Sequence, residues 1–156
     1  QIQSKVEGCL MATQQEIYNA LETHFTTNWV ESGNAKTKIV YPNTSRDLFN
    51  ATYADSQSFV VLKYQHANTE LLGLPVNQNT KRIQYYMFFV RIYTIKDRGP
   101  ATTFGFINSL DTLYNAQSIN QSNVALLFET SNSSIGVEED DTYYVSGWSI
   151  PFHVFN

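Results

Sequence analysis

The alternation of hydrophobic and polar positions breaks down in one stretch of the chain, from Lys81 to Pro100, which reads KRIQYYMFFVRIYTIKDRGP. A strand with one face in water alternates apolar and polar side chains. Here both sets of alternate positions are apolar: Ile83, Tyr85, Met87, Phe89, Tyr93 and Ile95 on one side, and Tyr86, Phe88, Val90 and Ile92 on the other. The pattern predicts a long strand with two covered faces. The domain core covers one, and more helices, a second sheet or another subunit must cover the other.

Two other stretches carry a helical period. Thr13 and Glu16 fit a capping box, in which the Thr hydroxyl accepts from the backbone N–H three residues on. The apolar side chains that follow recur every four residues and predict an amphipathic helix ending near Gly33: Ile17, Leu21, Phe25 and Trp29. Pro100 suits the first position of a second helix. The apolar stripe of that helix comprises Phe104, Phe106, Ile107, Leu110, Leu113 and Tyr114.

The remaining apolar runs predict strands, at 36–41, 58–66, 81–96, 124–130 and 142–153. The polar segments between them, including 67–80 and 131–141, are expected to be loops. The element order of helix, three strands, helix, two strands predicts an α+β fold. Its mostly antiparallel sheet of about five strands carries two helices packed on one face. Because two helices cover only one face of such a sheet, the other face is left for a partner.

Length and composition fit a single globular domain of 156 residues. Aromatic residues make up 14% of the chain and charged residues only 15%, a balance typical of protein interfaces. A net charge of −4 with ten Lys and Arg argues against a protein that grips nucleic-acid phosphates. The single cysteine, Cys9, excludes an internal disulfide. No apolar run of about 18 residues predicts a membrane span.

The first ten residues, QIQSKVEGCL, show no clear period. They precede Met11-Ala12-Thr13, which looks like a translation start. We therefore expect residues 1–10 to be an extension that is flexible or non-native, and residues 11–156 to form one domain.

No grouping of residues predicts catalysis, a metal site or a bound cofactor. His24, His66 and His153 fall in different predicted elements, without a near partner that would make a metal site or a general base. The sequence contains no Gly-rich phosphate loop, nucleophile elbow or paired carboxylate motif. It therefore predicts a protein that is not an enzyme and that needs no cofactor.

Two segments are candidate interaction surfaces. The leucines in the predicted loop 67–80 either tuck under the sheet or are reserved for a partner, because they are costly in water: Leu71, Leu72 and Leu74. The sharpest charge feature is the acidic run Glu138, Glu139, Asp140 and Asp141. A solvated hairpin tip is favoured for this run, since four contiguous acids lack the spacing of a calcium loop. If the run faced a DNA passage, its charge would keep the duplex from adhering.

Five segments follow one another in a recognisable order along residues 11–156. They are QQEIYNALETHF, KIVYPN, FVVLKY, QYYMFFVRIYTI with a Gly-Pro start to the next helix, and YYVSGWSIPFHVF. Together they resemble the tail terminator proteins of long non-contractile-tailed bacteriophages. The resemblance implies a small subunit with helices on one side of a sheet, which assembles as a hexameric ring without catalytic activity. Such a ring ends polymerisation of the tail tube and offers a docking surface to the head connector.

The resemblance also implies partners and a location. The partners are other copies of the chain, the tail tube protein and a head-completion or connector protein, with DNA only as passing cargo and no membrane. The location is the neck region of the virion tail, after assembly in the host cytoplasm. A subunit or tube interface is hypothesised at Leu71, Leu72, Leu74, Tyr85, Tyr86, Phe88 and Phe89. The acidic run 138–141 would then face the DNA channel.

Two alternatives stay open at this point. Another neck protein, for head completion or tail completion, would have the same composition. A domain that binds single-stranded nucleic acid on an aromatic sheet is the other alternative. It would need basic residues beside exposed aromatic side chains, whereas this chain is acidic.

Overall fold

A computed structural model describes residues 13–31, 33–35, 37–42, 58–71, 82–95, 100–139 and 143–155. The proposed extension 1–10 lies outside these residues. The helices are α1 (Gln14–Asn28) and α2 (Ala101–Tyr114). The strands are β1 (Val30–Glu31), β2 (Asn34–Ala35), β3 (Lys38–Val40), β4 (Phe59–Leu71), β5 (Arg82–Ile95), β6 (Ser118–Gln121), β7 (Val124–Phe128), β8 (Asn132–Glu139) and β9 (Tyr143–Phe155).

The main sheet formed by the described residues is mixed and has seven strands. Its order is β3-β4-β5-β9-β7-β6, and β8 pairs with β9 beside β7. β3 runs parallel to β4, whereas the other pairs are antiparallel. β1 and β2 form a separate antiparallel pair. The chain is α+β, but the prediction of about five strands in the order helix, three strands, helix, two strands was wrong in both number and order.

The strands that were missed have little apolar periodicity. β8 occupies most of the predicted loop 131–141 and pairs through its backbone with β9, while its first side chains point into solvent. β4 continues to Leu71 through an exposed polar segment that was predicted as the start of a loop. β6 and β7 form a hairpin whose turn residues Ser122 and Asn123 have φ of 52° and 63°. Positive φ at both central positions is the geometry of a type I′ turn.

The helices cover one face of the sheet and bury the even-numbered positions of β5. That strand contributes Tyr86, Phe88, Val90 and Ile92 to the core, and β9 contributes Trp148, Ile150, Phe152 and Val154. The predicted stripes of both helices supply the other wall: Ile17, Leu21, Phe25 and Trp29, with Phe106, Ile107, Leu110 and Tyr114. Phe104 does not belong to this core, since it is 48% exposed.

A hydrogen-bonded cap fixes the start of α1, and the other helix boundaries differ slightly from those predicted. Thr13 Oγ1 accepts from the Glu16 backbone N–H at 3.2 Å and donates to Glu16 Oε1 at 3.2 Å, so the predicted N-terminal cap is confirmed. α1 ends at Asn28 rather than near Gly33. Pro100 is the N-cap of α2 rather than its first residue.

A carboxylate ties α2 to the sheet. Asp111 Oδ1 accepts from Trp148 Nε1 at 2.9 Å and from Ser131 Oγ at 2.5 Å. Asn115 Oδ1 accepts from the backbone N–H of Ser131 at 2.9 Å. Because Trp148 is 1% exposed, Asp111 satisfies an indole N–H that water does not reach. These bonds hold the residue that leads into β8 against α2 and β9.

Candidate interaction surface

The face of the sheet opposite the helices is built from the odd-numbered positions of β5 and their cross-strand neighbours, and we call it the open face. The pairing register aligns Lys63, Phe89 and Ser149 in one row. The next row consists of Val61, Arg91 and Gly147. The apolar β5 side chains of this face are half-buried: Ile83, Tyr85, Met87, Phe89, Tyr93 and Ile95. The second apolar face of the long strand therefore remains partly exposed in the single chain.

One end of the open face is packed by its own aromatic side chains. The rings of Phe59 and Tyr93 stack with centroids 4.4 Å apart, and Tyr143 meets Phe59 edge-on at 5.0 Å. Val40 and Val145 complete this small cluster. Phe59 and Tyr143 are only 3% and 8% exposed, so this end forms a second, minor core.

Beside that cluster lies a groove of about 530 Å³ on the open face. Its lining combines apolar, cationic and neutral polar side chains: Val61, Phe89 and Tyr93; Lys63 and Arg91; Asn132, Ser134 and Ser149. Both cations are exposed, and Lys63 Nζ lies 5.9 Å from the centroid of the Phe89 ring. Such a lining suits an incoming aromatic or acidic side chain, because a cation attracts both a ring face and a carboxylate.

The opposite end of the open face carries carboxylates. The Tyr85 hydroxyl donates to Glu70 Oε2 at 3.2 Å, and partial burial together with Glu70 and Glu129 raises the pKa of Tyr85. The His153 ring lies 5.8 Å from the Tyr85 ring. His153 Nδ1 is 3.6 Å from Glu129 Oε1, which is within ion-pair range for a protonated ring but beyond a hydrogen bond. The open face is therefore cationic in its middle and anionic at this end.

The aromatic residues predicted for an interface divide between two environments. Tyr86 and Phe88 are 1% and 2% exposed beneath the helices. Their assignment to an interface is therefore corrected, because even-numbered positions of β5 belong to the core. Tyr85 and Phe89 lie half-buried on the open face.

The leucine and acidic segments are described only in part. Leu71 ends β4 opposite Arg82 and is 46% exposed. Glu138 and Glu139 belong to β8 and pair with Val145 and Tyr144, so this part of the acidic run is strand rather than hairpin tip. The remaining residues of the two segments lie outside the described part of the chain: Leu72, Leu74, Asp140 and Asp141.

Sequence reasoning missed the two cations of the groove. Arg91 is the one charged residue among the odd-numbered positions of β5, where it interrupts an otherwise apolar set. That interruption is visible in the sequence and marks the position as exposed. The proximity of Lys63 to Arg91 is not visible, since it depends on the register that pairs Val61 with Arg91 and Lys63 with Phe89.

Ionisable side chains are dispersed over the described residues. No three or more His, Cys, Asp or Glu side chains among them are placed to hold a metal ion. His24 Nδ1 lies 3.2 Å from the Tyr114 hydroxyl, and burial lowers the pKa of His24. No helix within the described ranges is long and apolar enough to cross a membrane.

Comparisons with known proteins bear on the fold. No protein-family model and no curated protein sequence matches the chain. A solved protein structure shares the fold with a TM-score of 0.67 and 12% sequence identity. The likeness covers 92% of this chain and 96% of that chain. At such low identity it shows a common fold alone.

Proposed function

We propose that this protein is a structural, non-enzymatic subunit of a ring at the head-proximal end of a phage tail tube. The ring ends polymerisation of the tube and gives the head connector a surface on which to dock. The proposal rests on the ordered segments that resemble tail terminator proteins and on the open face of the sheet.

The half-buried open face is the observation that carries the proposal. Six apolar side chains of β5 remain partly in water when the chain is taken alone. Contiguous exposed apolar surface marks a place where a partner binds. A ring subunit needs binding surfaces of this kind, because each copy contacts two neighbours through two different patches.

The proposed ring is a hexamer in the neck of the virion tail, assembled in the host cytoplasm. Its other partners are the tail tube protein and a head-completion or connector protein. DNA passes through the ring as cargo. In this arrangement the acidic run 138–141 faces the channel, where like charge keeps the duplex moving freely.

Mass photometry across a concentration series, followed by electron microscopy, tests the proposal. We expect sixfold rings, and we expect added ring to arrest growth of tubes assembled from the tail tube protein. Phe89→Glu, which places a charge on the open face, should abolish rings. Ser118→Glu on the exposed edge strand β6 is the matched control and should leave them intact. A chain that stays monomeric at high concentration and does not bind tubes refutes the proposal.

One observation favours a second candidate function. Phe89 and Tyr93 lie beside Lys63 and Arg91 in the groove, and aromatic side chains flanked by cations are what single-strand nucleic-acid-binding sheets use. Fluorescence anisotropy with short oligonucleotides at two salt concentrations tests this function. Nucleic-acid binding would be favoured over the tail role by three results together. The oligonucleotide binds in a salt-sensitive manner, Phe89→Ala removes this binding, and the wild-type chain forms no ring.

A related neck role in head completion or tail completion would leave the same open face. The position of the ring in a map of the virion separates these roles. Density between the last tube ring and the connector supports the terminator role.

A further inference from the structure

We propose that copies of this chain pack head-to-tail, so that helices α1 and α2 of one copy cover the open face of the next. Phe104 of the first copy enters the groove between Lys63 and Arg91 of the second. This inference rests on the proposed ring and names the two patches that form its repeated contact.

The shapes of the two surfaces are complementary. Phe104 lies in the first turn of α2 and is 48% exposed, whereas Thr103 and Phe106 beside it are buried. An aromatic ring in water gains much from entering an apolar site, because Phe buries a large area. The groove of about 530 Å³ presents Val61, Phe89 and Tyr93 to such a ring. A projecting side chain on one side of the molecule thus has a matching cavity on the other.

The charges of the two surfaces are also complementary. The segments of α1 and α2 contain Glu16, Glu22 and Asp111 and no Lys or Arg. Asp111 is engaged with Trp148 and Glu22 is half-buried, so the exposed Glu16 and part of Glu22 give the helix surface its negative charge. The groove, in contrast, exposes Lys63 and Arg91. Opposite charges orient the two patches, and an approaching Phe ring between two cations gains cation–π attraction.

The same charges disfavour pairing of like patches. Two helix surfaces facing each other would bring carboxylates together, and two grooves would bring Lys63 and Arg91 of each copy together. Like-charge juxtaposition opposes such isologous dimers. A contact between different patches repeats from copy to copy, and it closes into a ring when the rotation between copies allows.

Disulfide trapping tests the contact directly. In a Cys9→Ser background, Phe104→Cys is combined with Ser149→Cys, which lines the groove. Oxidation should give a ladder of crosslinked species that ends at the closed ring. The control combines Phe104→Cys with Ser118→Cys at the far sheet edge and should give no ladder. Circular dichroism of the reduced proteins verifies that both pairs are folded.

A second measurement does not depend on introduced cysteines. Phe104→Ser should raise the concentration midpoint of assembly by about tenfold or more, as expected for loss of a central anchor residue. Phe104→Tyr, which keeps the ring, should assemble near the wild-type concentration. Both variants change an exposed position, so their monomers should remain folded.

The outcomes separate this inference from the proposed function. Rings that persist in Phe104→Ser and give no ladder would overturn the packing while the ring role stands. A ladder from open filaments would support the packing and overturn the ring role. A wild-type chain that remains monomeric would overturn both.

Discussion

Replacing Asp111 by alanine removes the acceptor that joins α2 to β9 and to the residue before β8. Its Oδ1 accepts from Trp148 Nε1 at 2.9 Å and from the hydroxyl of Ser131. A hydrogen bond to a charged group contributes about 1.5–3 kcal/mol, and an unsatisfied buried donor costs about 1–3 kcal/mol. Trp148 is 1% exposed and bears the full loss, whereas water can replace part of the bond to Ser131. We therefore expect the free energy of unfolding to fall by about 2–4 kcal/mol.

Urea unfolding followed by tryptophan fluorescence measures this loss, because Trp148 itself reports on the site. With a slope of about 2 kcal/mol per molar urea, the middle of the usual range, the midpoint should fall by roughly 1–2 M without a change in slope. The melting temperature should fall by roughly 5–15 °C for a chain of this length. Asp111→Asn keeps a neutral acceptor and should cost about half as much, and Ser131→Ala should cost about 1 kcal/mol.

Two results would contradict the reasoning. If the free energy of unfolding of Asp111→Ala lies within about 0.5 kcal/mol of the wild-type value, the buried indole does not require the carboxylate. Full additivity of Asp111→Ala and Ser131→Ala would mean that the two groups do not act through one bond, since partners in contact show coupling.

Substitutions at four further positions probe other parts of the fold. Gly136→Ala should destabilise by more than about 1 kcal/mol, because its φ is +64° and the added Cβ would clash with the Tyr144 hydroxyl. Gly105 in α2 has open space around it, so Gly105→Ala should raise the free energy of unfolding by about 0.5–1 kcal/mol. Urea unfolding compares the two glycine variants, and a Gly136→Ala protein more stable than the Gly105→Ala protein would contradict this explanation. Burial lowers the pKa of His24, so the unfolded chain binds more protons below about pH 6.5 and stability should fall there. His24→Gln should flatten this dependence in urea unfolding from pH 7 to 5, and an unchanged slope would exclude His24 as its source. Thr13→Ala removes the cap of α1 and should lower the stability measured by thermal unfolding by about 1 kcal/mol. Thr13→Ser keeps the hydroxyl and is the control. Equal losses of stability in the two variants would show that the hydroxyl does not stabilise the helix.

The helices could be predicted because burial leaves a period in the sequence. Ile17, Leu21 and Phe25 recur on one side of α1 and are all buried in the structure. Phe104 shows the limit of this reasoning, since it matches the apolar pattern of α2 yet is exposed. A side chain reserved for a partner and a side chain of the core look alike in a list of apolar positions.

The missed strands are stabilised by backbone pairing, which leaves no mark in side-chain polarity. Asn132 and Ser134 pair across from Ser149 and Gly147 through main-chain hydrogen bonds, and an edge strand of polar residues has no apolar period to detect. The hairpin of β6 and β7 did carry a signal, because Asn123 is among the residues that tolerate positive φ in a two-residue turn.

The candidate surface could be predicted as far as its apolar content. Alternation places Tyr85 and Phe89 in one set and Tyr86 and Phe88 in the other, but the hypothesised interface included all four, and the last two are buried beneath the helices. Alternation sorts the side chains of a strand into two sets and does not say which set the helices cover.

Arg91 supplies the missing information. An arginine beneath the helices would be a charge buried against their apolar stripes, which costs much free energy. The set that contains Arg91 therefore has to be the set the helices leave open. Lys63 on β4 falls on the same face and leads to the same conclusion for the neighbouring strand. One charge within an apolar strand thus identifies the face that the helices leave open, and in this chain it also supplies a cation that the proposed neighbouring copy would have to accommodate.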